Sequence, residues 1–581
     1  MLSAVRHLCT PQILFWTAQH SFRRPAYHRA GILYRTQRLH THRSNTEEPR
    51  RIAIIGGGIT GLTTAYYSAK QYPSAQLTLF ESKKEFGGVI ESRAIHLKDG
   101  TTALCQLGPK TLRANAPRAI VMVDLITQLG LQKDLIVVSK NDPVASNRYI
   151  YYTNRLVRLP VANMVKSVAH VPAPERFGLR RLWTLMRMLL TEPLFSGLLT
   201  GLLRGIFTKR PEYVVDDDSA YNLLSRRLGK KVTNNFFSAV YHGLYAGDMC
   251  DLSARALCPG LWSTESVLNG PIWRLLWLFF RGKGFPVEKW KAEEIAWLDE
   301  VRNGEAGELE KTALKDGAVF NFDGGVTRLT DRLEEVLQNV GNVRMIKQAS
   351  IDSIAYKNKE VCLSVNGSTT SYQPFTHIIS TTSLPQTLKL LEVGHPSLTY
   401  AKPTISHVPM MTVCFVYSTP NLNRPHRGFG YLLSSSLSPS QNPENALGVV
   451  FDSDAIPNQD TFTGTKISVI LGGHFWASRP FLPSKEDGVA MAKALLKRQL
   501  GIEEEPVAVV VGLERQALPQ YRVGHYGMLR EVHGVLGTFE GRVRVAGNCY
   551  DGIGVHDCLF SARRVVEGLG VGGRTGLEWC C

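Results

Sequence analysis

A chain of 581 residues is too long for one simple core, so two or three domains are expected. Its 44% hydrophobic content, without extended low-complexity blocks, excludes a disordered or fibrous chain. The formal net charge of +17 points to an anionic partner (nucleic acid, an anionic membrane face or an acidic small molecule), and ten scattered cysteines without a C-x-x-C pair argue against zinc or a disulfide framework.

Residues 1–48 carry Arg6, Arg23, Arg24, Arg29, Arg35, Arg38 and Arg43 among serines and threonines, and no acidic residue precedes Glu47. An arginine-rich, acid-free leader of this kind reads as a mitochondrial presequence, drawn inward by the membrane potential. It lacks the long apolar core of a secretory signal. A disordered basic tail is the alternative reading. The leader supplies part of the excess charge, so the folded part is less basic than the total and nucleic-acid binding is not expected.

Folding is expected to begin at Arg51. "RIAII" is an apolar run suited to a central parallel strand, "GGGITG" sets Gly56, Gly58 and Gly61 in G-x-G-x-x-G register, and "LTTAYYSAK" reads as a helix. The glycines permit a tight turn, close approach of a pyrophosphate and close helix–strand packing, while the helix N-terminus offers unpaired amides to phosphate. A second strand, "AQLTLFES", ends in Glu81, about 20 residues past the last glycine, where a carboxylate grips ribose hydroxyls. Strand, turn, helix, strand and acid together predict a dinucleotide site. In "ESKKEFGG" the Gly87-Gly88 doublet resembles the second signature of the flavin amine oxidase-like superfamily, which favours FAD over NAD. That superfamily commonly has arginine where Glu85 stands, leaving Lys83 or Lys84 as electrostatic substitutes.

Further along, "LRRLWTLMRMLLTEPLFSGLLTGLLRGIF" (179–207) is the most lipid-like stretch. A spanning helix needs about 20 apolar residues, and Glu192, Pro193 and Arg204 interrupt this one. Two amphipathic helices joined at Glu192-Pro193 are expected, with one face in a membrane interface. "IWRLLWLFFRGKGF" (272–285) offers a second basic-aromatic patch, and a helical core is the competing reading. The charged stretch 291–314 reads as a solvated insertion. "FNFDGGVTRLTDRLEEVL" sets another glycine doublet, Gly324-Gly325, before an amphipathic helix, and "NVRMIKQASIDSIAY" and "VCLSVNG" alternate as strands. At the far end, "RVRVAG", "NCYDGIGV" and "HDCLFSARRVVEGL" form a second strand–turn–helix. The terminal "WCC" is expected at the surface.

"LGPKTLRANAP", "SNRYIYYTNRLVRLP", "RRLGKKVTNNFFSAVYHGLYAGDMCDLSAR", "LPQYRVGH" and "AGNCYDGIGVHDC" together resemble the protoporphyrinogen oxidase family, over nearly everything from Arg51 to Leu569. The resemblance implies an α/β fold with an FAD-binding Rossmann-like domain built from discontinuous segments (51–140, 315–369 and 528–570). An α+β substrate-binding domain would take 141–154 and 370–527, and a helical membrane-docking domain 155–290, leaving 571–581 as a tail. It implies non-covalent FAD held by Gly56, Gly57, Gly58, Ile59, Thr60, Gly61, Glu81, Ser82, Gly87, Gly88, the backbone of Ile351 beside the adenine, and Gly547, Gly552, Ile553, Gly554 and Val555. Cys549 lies within the final A-G segment rather than upstream of it, so no covalent flavin link is expected.

The implied substrate is protoporphyrinogen IX, with O2 as electron acceptor. Arg148 would bind a propionate, Gly243 would offer its carbonyl to a pyrrole N–H, and Leu244 and Gly247 would shape that wall. The flavin ring carries the oxidation, so no catalytic acid or base is assigned, to His242 and His525 included, and no metal is expected. The resemblance further implies peripheral attachment to the inner mitochondrial membrane, and admits a homodimer and ferrochelatase, a haem-pathway neighbour, as partners. A flavin amine or polyamine oxidase and a catalytically silent FAD-binding protein remain the rival readings.

Overall fold

The computed structural model describes residues 50–114, 116, 118–159, 179–268, 289–367, 374–395 and 405–580. The leader and the basic-aromatic patch 272–285 lie outside the described residues. Strand β1 (Arg51–Ile55), helix α1 (Ile59–Gln71), strand β2 (Gln76–Phe80), helix α2 (Ala119–Leu129), helix α3 (Lys289–Arg302), strands β3 (Val343–Ile346), β4 (His377–Ser380) and β5 (Val543–Val545), and helix α4 (Val555–Glu567) build the part that contains the glycine loop. The five strands form one parallel sheet in the order β5–β4–β1–β2–β3. In β1, Ile52, Ala53 and Ile54 are fully buried, because a central parallel strand covered on both faces requires a continuous apolar run. The fold is thus α/β, with a Rossmann-like region assembled from discontinuous strands.

β4, which pairs directly with β1, comes from the stretch 370–527 expected in the substrate-binding part. That stretch also supplies most of a seven-stranded sheet, in the order Ala508–Pro519, His407–Tyr417, Thr465–Gly472, Ala446–Val450, Gly430–Leu433, Tyr149–Tyr152, Arg155–Arg158. Its neighbours are antiparallel except for Gly430–Leu433 against Tyr149–Tyr152, so Arg148 stands at the entry to a strand of this sheet.

The regular elements within residues 179–268 are all helices. Gly201 and Gly205 of helix Leu198–Phe207 lie against the backbone of helix Ala220–Leu228: a β-carbon at either would come within 1.9 Å of Leu228 O and 2.2 Å of Arg227 O. Leu203 and Phe207, on the other side, are exposed. Among the described residues no helix is long and apolar enough to cross a membrane.

Two expectations are corrected. The stretch 291–314 is not a solvated insertion: Glu294 and Leu298 of α3 are buried, and the Trp297 ring meets Phe560 edge-on at 5.5 Å. Glu294, Trp297, Leu298 and Val301 share one helix face, so the charges on the opposite face mask a buried stripe. The terminal "WCC" is not at the surface as expected either, as far as Cys580. Leu577 and Cys580 are buried, and Trp579 packs edge-on to Tyr526 at 5.7 Å.

Candidate dinucleotide and substrate site

The glycine loop is built around its own acid. Gly56 adopts φ +101°, and its N–H donates to Phe80 O at 2.9 Å, which turns the chain back over β2. Gly57 N donates to Glu81 Oε2 at 2.7 Å, while Glu81 Oε1 accepts from Lys83 N at 2.7 Å and Ser82 Oγ at 3.2 Å. The carboxylate is therefore fixed at the tip of β2, with lone pairs to spare for a diol. A β-carbon on Gly61 would fall 1.8 Å from Gly56 O, so only glycine lets α1 approach the loop. The second doublet stacks on the first: Gly87 N donates to Gly57 O at 2.9 Å, and a β-carbon on Gly88 would lie 3.1 Å from Gly58 Cα.

Gly58 caps α1 without a side-chain hydrogen bond, and no acid occupies the first turn, so Ile59 and Thr60 open an N-terminus with unpaired amides. The second helix N-terminus comes to the same place. A β-carbon on Gly547 would sit 3.8 Å from Thr60 Oγ1. Gly552 N donates to the Tyr521 hydroxyl at 2.9 Å, Gly554 N donates to Asp557 Oδ2 at 3.1 Å, and Val555 starts α4. Ile553 packs against the helical region. Ile351 is buried, two residues beyond Ala349, whose N–H donates to Glu81 O at 2.8 Å. The residues expected to hold a dinucleotide are thus gathered along one seam. Shape and donors suit the group: two amide-bearing helix N-termini, a close backbone cradle and a fixed carboxylate.

Glu85 departs from the superfamily pattern at the surface, where Lys347 Nζ pairs with it at 2.8 Å. Lys83 contributes its backbone amide, while its ammonium stands 3.7 Å from Glu514. Burial pushes the Cys549 thiol up to about 12, which makes it a poor nucleophile.

Of the residues expected to meet a substrate, Arg148 has its guanidinium over the Phe429 ring at 4.8 Å. Burial and repulsion from Arg113 push it down to about 10, so it stays cationic at neutral pH. Among the described residues neither arginine has a carboxylate at ion-pair range. Gly243 lies in helix Ser238–Tyr245, among the last carbonyls that have no successor amide in the helix. Leu244 is half-buried, and Gly247 is held against Gln520, whose amide donates to Tyr245 O at 2.9 Å.

His242 and His525 are structural. His242 is buried against His474 at 4.4 Å, and burial lowers it to about 3. His525 stacks on Tyr521 at 4.1 Å with Nε2 2.9 Å from Tyr550 O, and burial lowers it to about 4. Both are neutral when folded but bind protons when unfolded, below about pH 6.5. Folding stability should therefore fall as the pH drops from 6.5 toward 4. Thermal melts across that window should show a shallower slope for His525→Gln than for the wild type; an unchanged slope would remove His525 from the acid response.

Sequence reasoning overlooked three residues. Arg113 lies inside a quoted motif but received no role. Arg118, 2% exposed, gathers Glu294, Asp551 and Asp557 around it, and neither it nor Glu294 was singled out.

Residues 54–125 match the family model of NAD(P)-binding Rossmann-like domains. Protoporphyrinogen oxidase of Schizosaccharomyces pombe is 29% identical over 523 residues, spanning 89% of this chain and 98% of the relative. Coproporphyrinogen III oxidase of Staphylococcus aureus is 24% identical over 531 residues, again 89% and 98%. The crystal structure of an Exiguobacterium protein, provisionally named a protoporphyrinogen oxidase, shares the fold with a TM-score of 0.65 at 22% identity, covering 90% of this chain and 99% of that one. The chain thus contains a Rossmann-like NAD(P)-binding region and is similar over most of its length, at less than 30% identity, to protoporphyrinogen and coproporphyrinogen oxidases.

Proposed function

We propose that this chain binds FAD non-covalently and oxidises protoporphyrinogen IX to protoporphyrin IX, passing six electrons to O2 in three rounds and releasing H2O2, the penultimate step of haem biosynthesis. The observation that carries the reading is the glycine loop at the start of α1 bonded to Glu81, with the second glycine segment reaching Thr60 through Gly547 and, among the described residues, no carboxylate at ion-pair range of the Arg148 guanidinium. Bound in that cradle, the flavin ring would supply the hydride acceptor.

The chain's own residues bind and orient. Arg148 would take a propionate in a charged hydrogen bond, and the Gly243 carbonyl at its helix end would accept from a pyrrole N–H. Leu244 and Gly247 would form the apolar wall. Neither His242 nor His525, both neutral and enclosed, is asked to move a proton. Glu81 would hold the ribose, and the first amides of α1 and α4 the pyrophosphate.

The test is anaerobic mixing of purified protein with protoporphyrinogen IX, with coproporphyrinogen III and putrescine in parallel. Bleaching of the flavin, then porphyrin fluorescence and peroxide on admitting air, is expected with protoporphyrinogen. Preference for coproporphyrinogen or putrescine would replace the substrate, and no bleaching with any of them would favour a silent FAD-binding protein.

The apolar tetrapyrrole suits delivery along a lipid surface, and we read the protein as peripheral to the inner mitochondrial membrane. Trp183 and Leu190 of helix Leu179–Thr191 and Leu203 and Phe207 of the next helix are exposed, and Phe207 is 75% exposed. Arg187 and Arg204 flank them. Aromatic and aliphatic side chains beside arginines favour the headgroup boundary. The double variant Trp183→Ser/Phe207→Ser should lose most sedimentation with anionic phospholipid vesicles while keeping the wild-type melting temperature. Undiminished sedimentation would move the docking surface elsewhere.

A further inference from the structure

Arg118 precedes α2 and is enclosed by three other segments. Its Nε and Nη2 donate to Glu294 Oε1 and Oε2 at 3.0 and 2.7 Å, a two-bond fork that fixes the plane of the guanidinium. The remaining edge reaches the 551–557 loop: Nη1 donates to Asp557 Oδ1 at 3.2 Å and to the Asp551 carbonyl, and Nη2 also meets the Asp551 carboxylate. The Phe560 ring closes the other face, 4.2 Å from the guanidinium carbon.

This network reaches the loop's backbone. Holding the Asp551 carbonyl sets the peptide plane that leads to Gly552 N, which donates to Tyr521 Oη. Holding Asp557 keeps its other oxygen on Gly554 N. With those two amides occupied, the amides of Ile553, Val555 and His556 are left without a protein acceptor among the described residues. A buried ion pair contributes little net stability compared with apolar packing, but it fixes orientation strictly, because an unpaired partner is costly to bury.

We infer that Glu294, carried by the charged helix α3, acts through Arg118 as a positioning residue that aims the amides of the 551–557 loop at the bound dinucleotide. The inference rests on the FAD reading above. It gives α3 a role that its surface-like composition hides: α3 secures the closing loop of the cofactor cradle.

The test titrates apoprotein with FAD and compares melting temperatures with and without it, for wild type, Glu294→Gln, Glu294→Asp, Arg118→Lys and Leu298→Ala. Leu298 is buried on α3 one turn after Glu294 and serves as the packing control. Glu294→Gln should bind FAD about tenfold more weakly, the scale of a lost charged hydrogen bond, and its FAD-induced rise in melting temperature should shrink. Glu294→Asp should recover part of that rise. Arg118→Lys, which keeps the charge but loses the fork, should behave like Glu294→Gln and stands in for it should that variant not fold. Leu298→Ala should lower both melting temperatures together and leave FAD affinity unchanged. Wild-type affinity in Glu294→Gln or Arg118→Lys, or equal weakening in Leu298→Ala, would overturn the positioning role. Wild-type apoprotein that takes up no FAD would instead overturn the cofactor reading itself.

Discussion

Replacing Arg148 by alanine is expected to raise the KM for protoporphyrinogen by about 10- to 100-fold, with kcat and flavin content little changed. A hydrogen bond to a charged group contributes about 1.5–3 kcal/mol, and each 1.4 kcal/mol is about tenfold in an equilibrium constant. The side chain is prepared for an anion. It stands over Phe429, is desolvated, is repelled by Arg113, and has no carboxylate at ion-pair range among the described residues. Buried charges are normally paired, so on the proposed reading an anionic substrate group would complete a cation held this way. Lowered to about 10, the guanidinium remains charged through the physiological range, and the KM effect should be flat from pH 6 to 8. Arg148→Lys should fall between wild type and alanine, since an ammonium restores the charge but not the planar fork. Steady-state kinetics on the three proteins, with the flavin absorbance of each, decide the matter. An unchanged KM in Arg148→Ala would take Arg148 out of the site, and loss of flavin would make it a cofactor or folding residue.

The first βαβ unit was legible because its logic is local. The turn, the close approach and the acid of 51–81 all lie within one 31-residue stretch, and Glu81 bonds back to Gly57 across only 24 positions. The C-terminal loop was legible by the same signals of glycine spacing and a helix start. What escaped depends on partners far apart in the chain. Strand β4 is four residues long and carries no glycine signature, and its place beside β1 is set by register with residues more than 300 positions earlier. Arg118 meets Glu294 across 176 positions and Asp551 across 433. A glutamate destined for burial looks like its exposed neighbours in "KAEEIAWLDEV". The sole hint was its spacing from Trp297, Leu298 and Val301, which the surrounding charges obscured. Arg113 differs: nothing local in "LGPKTLRANAP" marks an arginine that the fold brings close to Arg148.

Gly58→Ala and Gly61→Ala should separate the cofactor's demands on the loop from the protein's own. At Gly61 the added carbon would lie 1.8 Å from Gly56 O and 3.0 Å from Thr381 Oγ1, so backbone must move, and overpacking of this kind costs about 1–3 kcal/mol. Apoprotein carrying Gly61→Ala should melt several degrees below wild type and lose most FAD uptake, because the turn and the start of α1 shift together. At Gly58 the backbone has φ −73°, ordinary for alanine, and the new carbon would meet only Gly88 Cα at 3.8 Å. The protein has no reason to exclude a methyl there; a pyrophosphate passing over the loop has. Apoprotein carrying Gly58→Ala should therefore keep its stability to within about 0.5 kcal/mol, as quiet substitutions do, while binding FAD at least about tenfold more weakly. Calorimetry of the apoproteins and FAD titration of each give the two axes. Wild-type FAD affinity in Gly58→Ala would mean that no phosphate crosses this glycine, and the assignment of the cradle to a dinucleotide would fall with it.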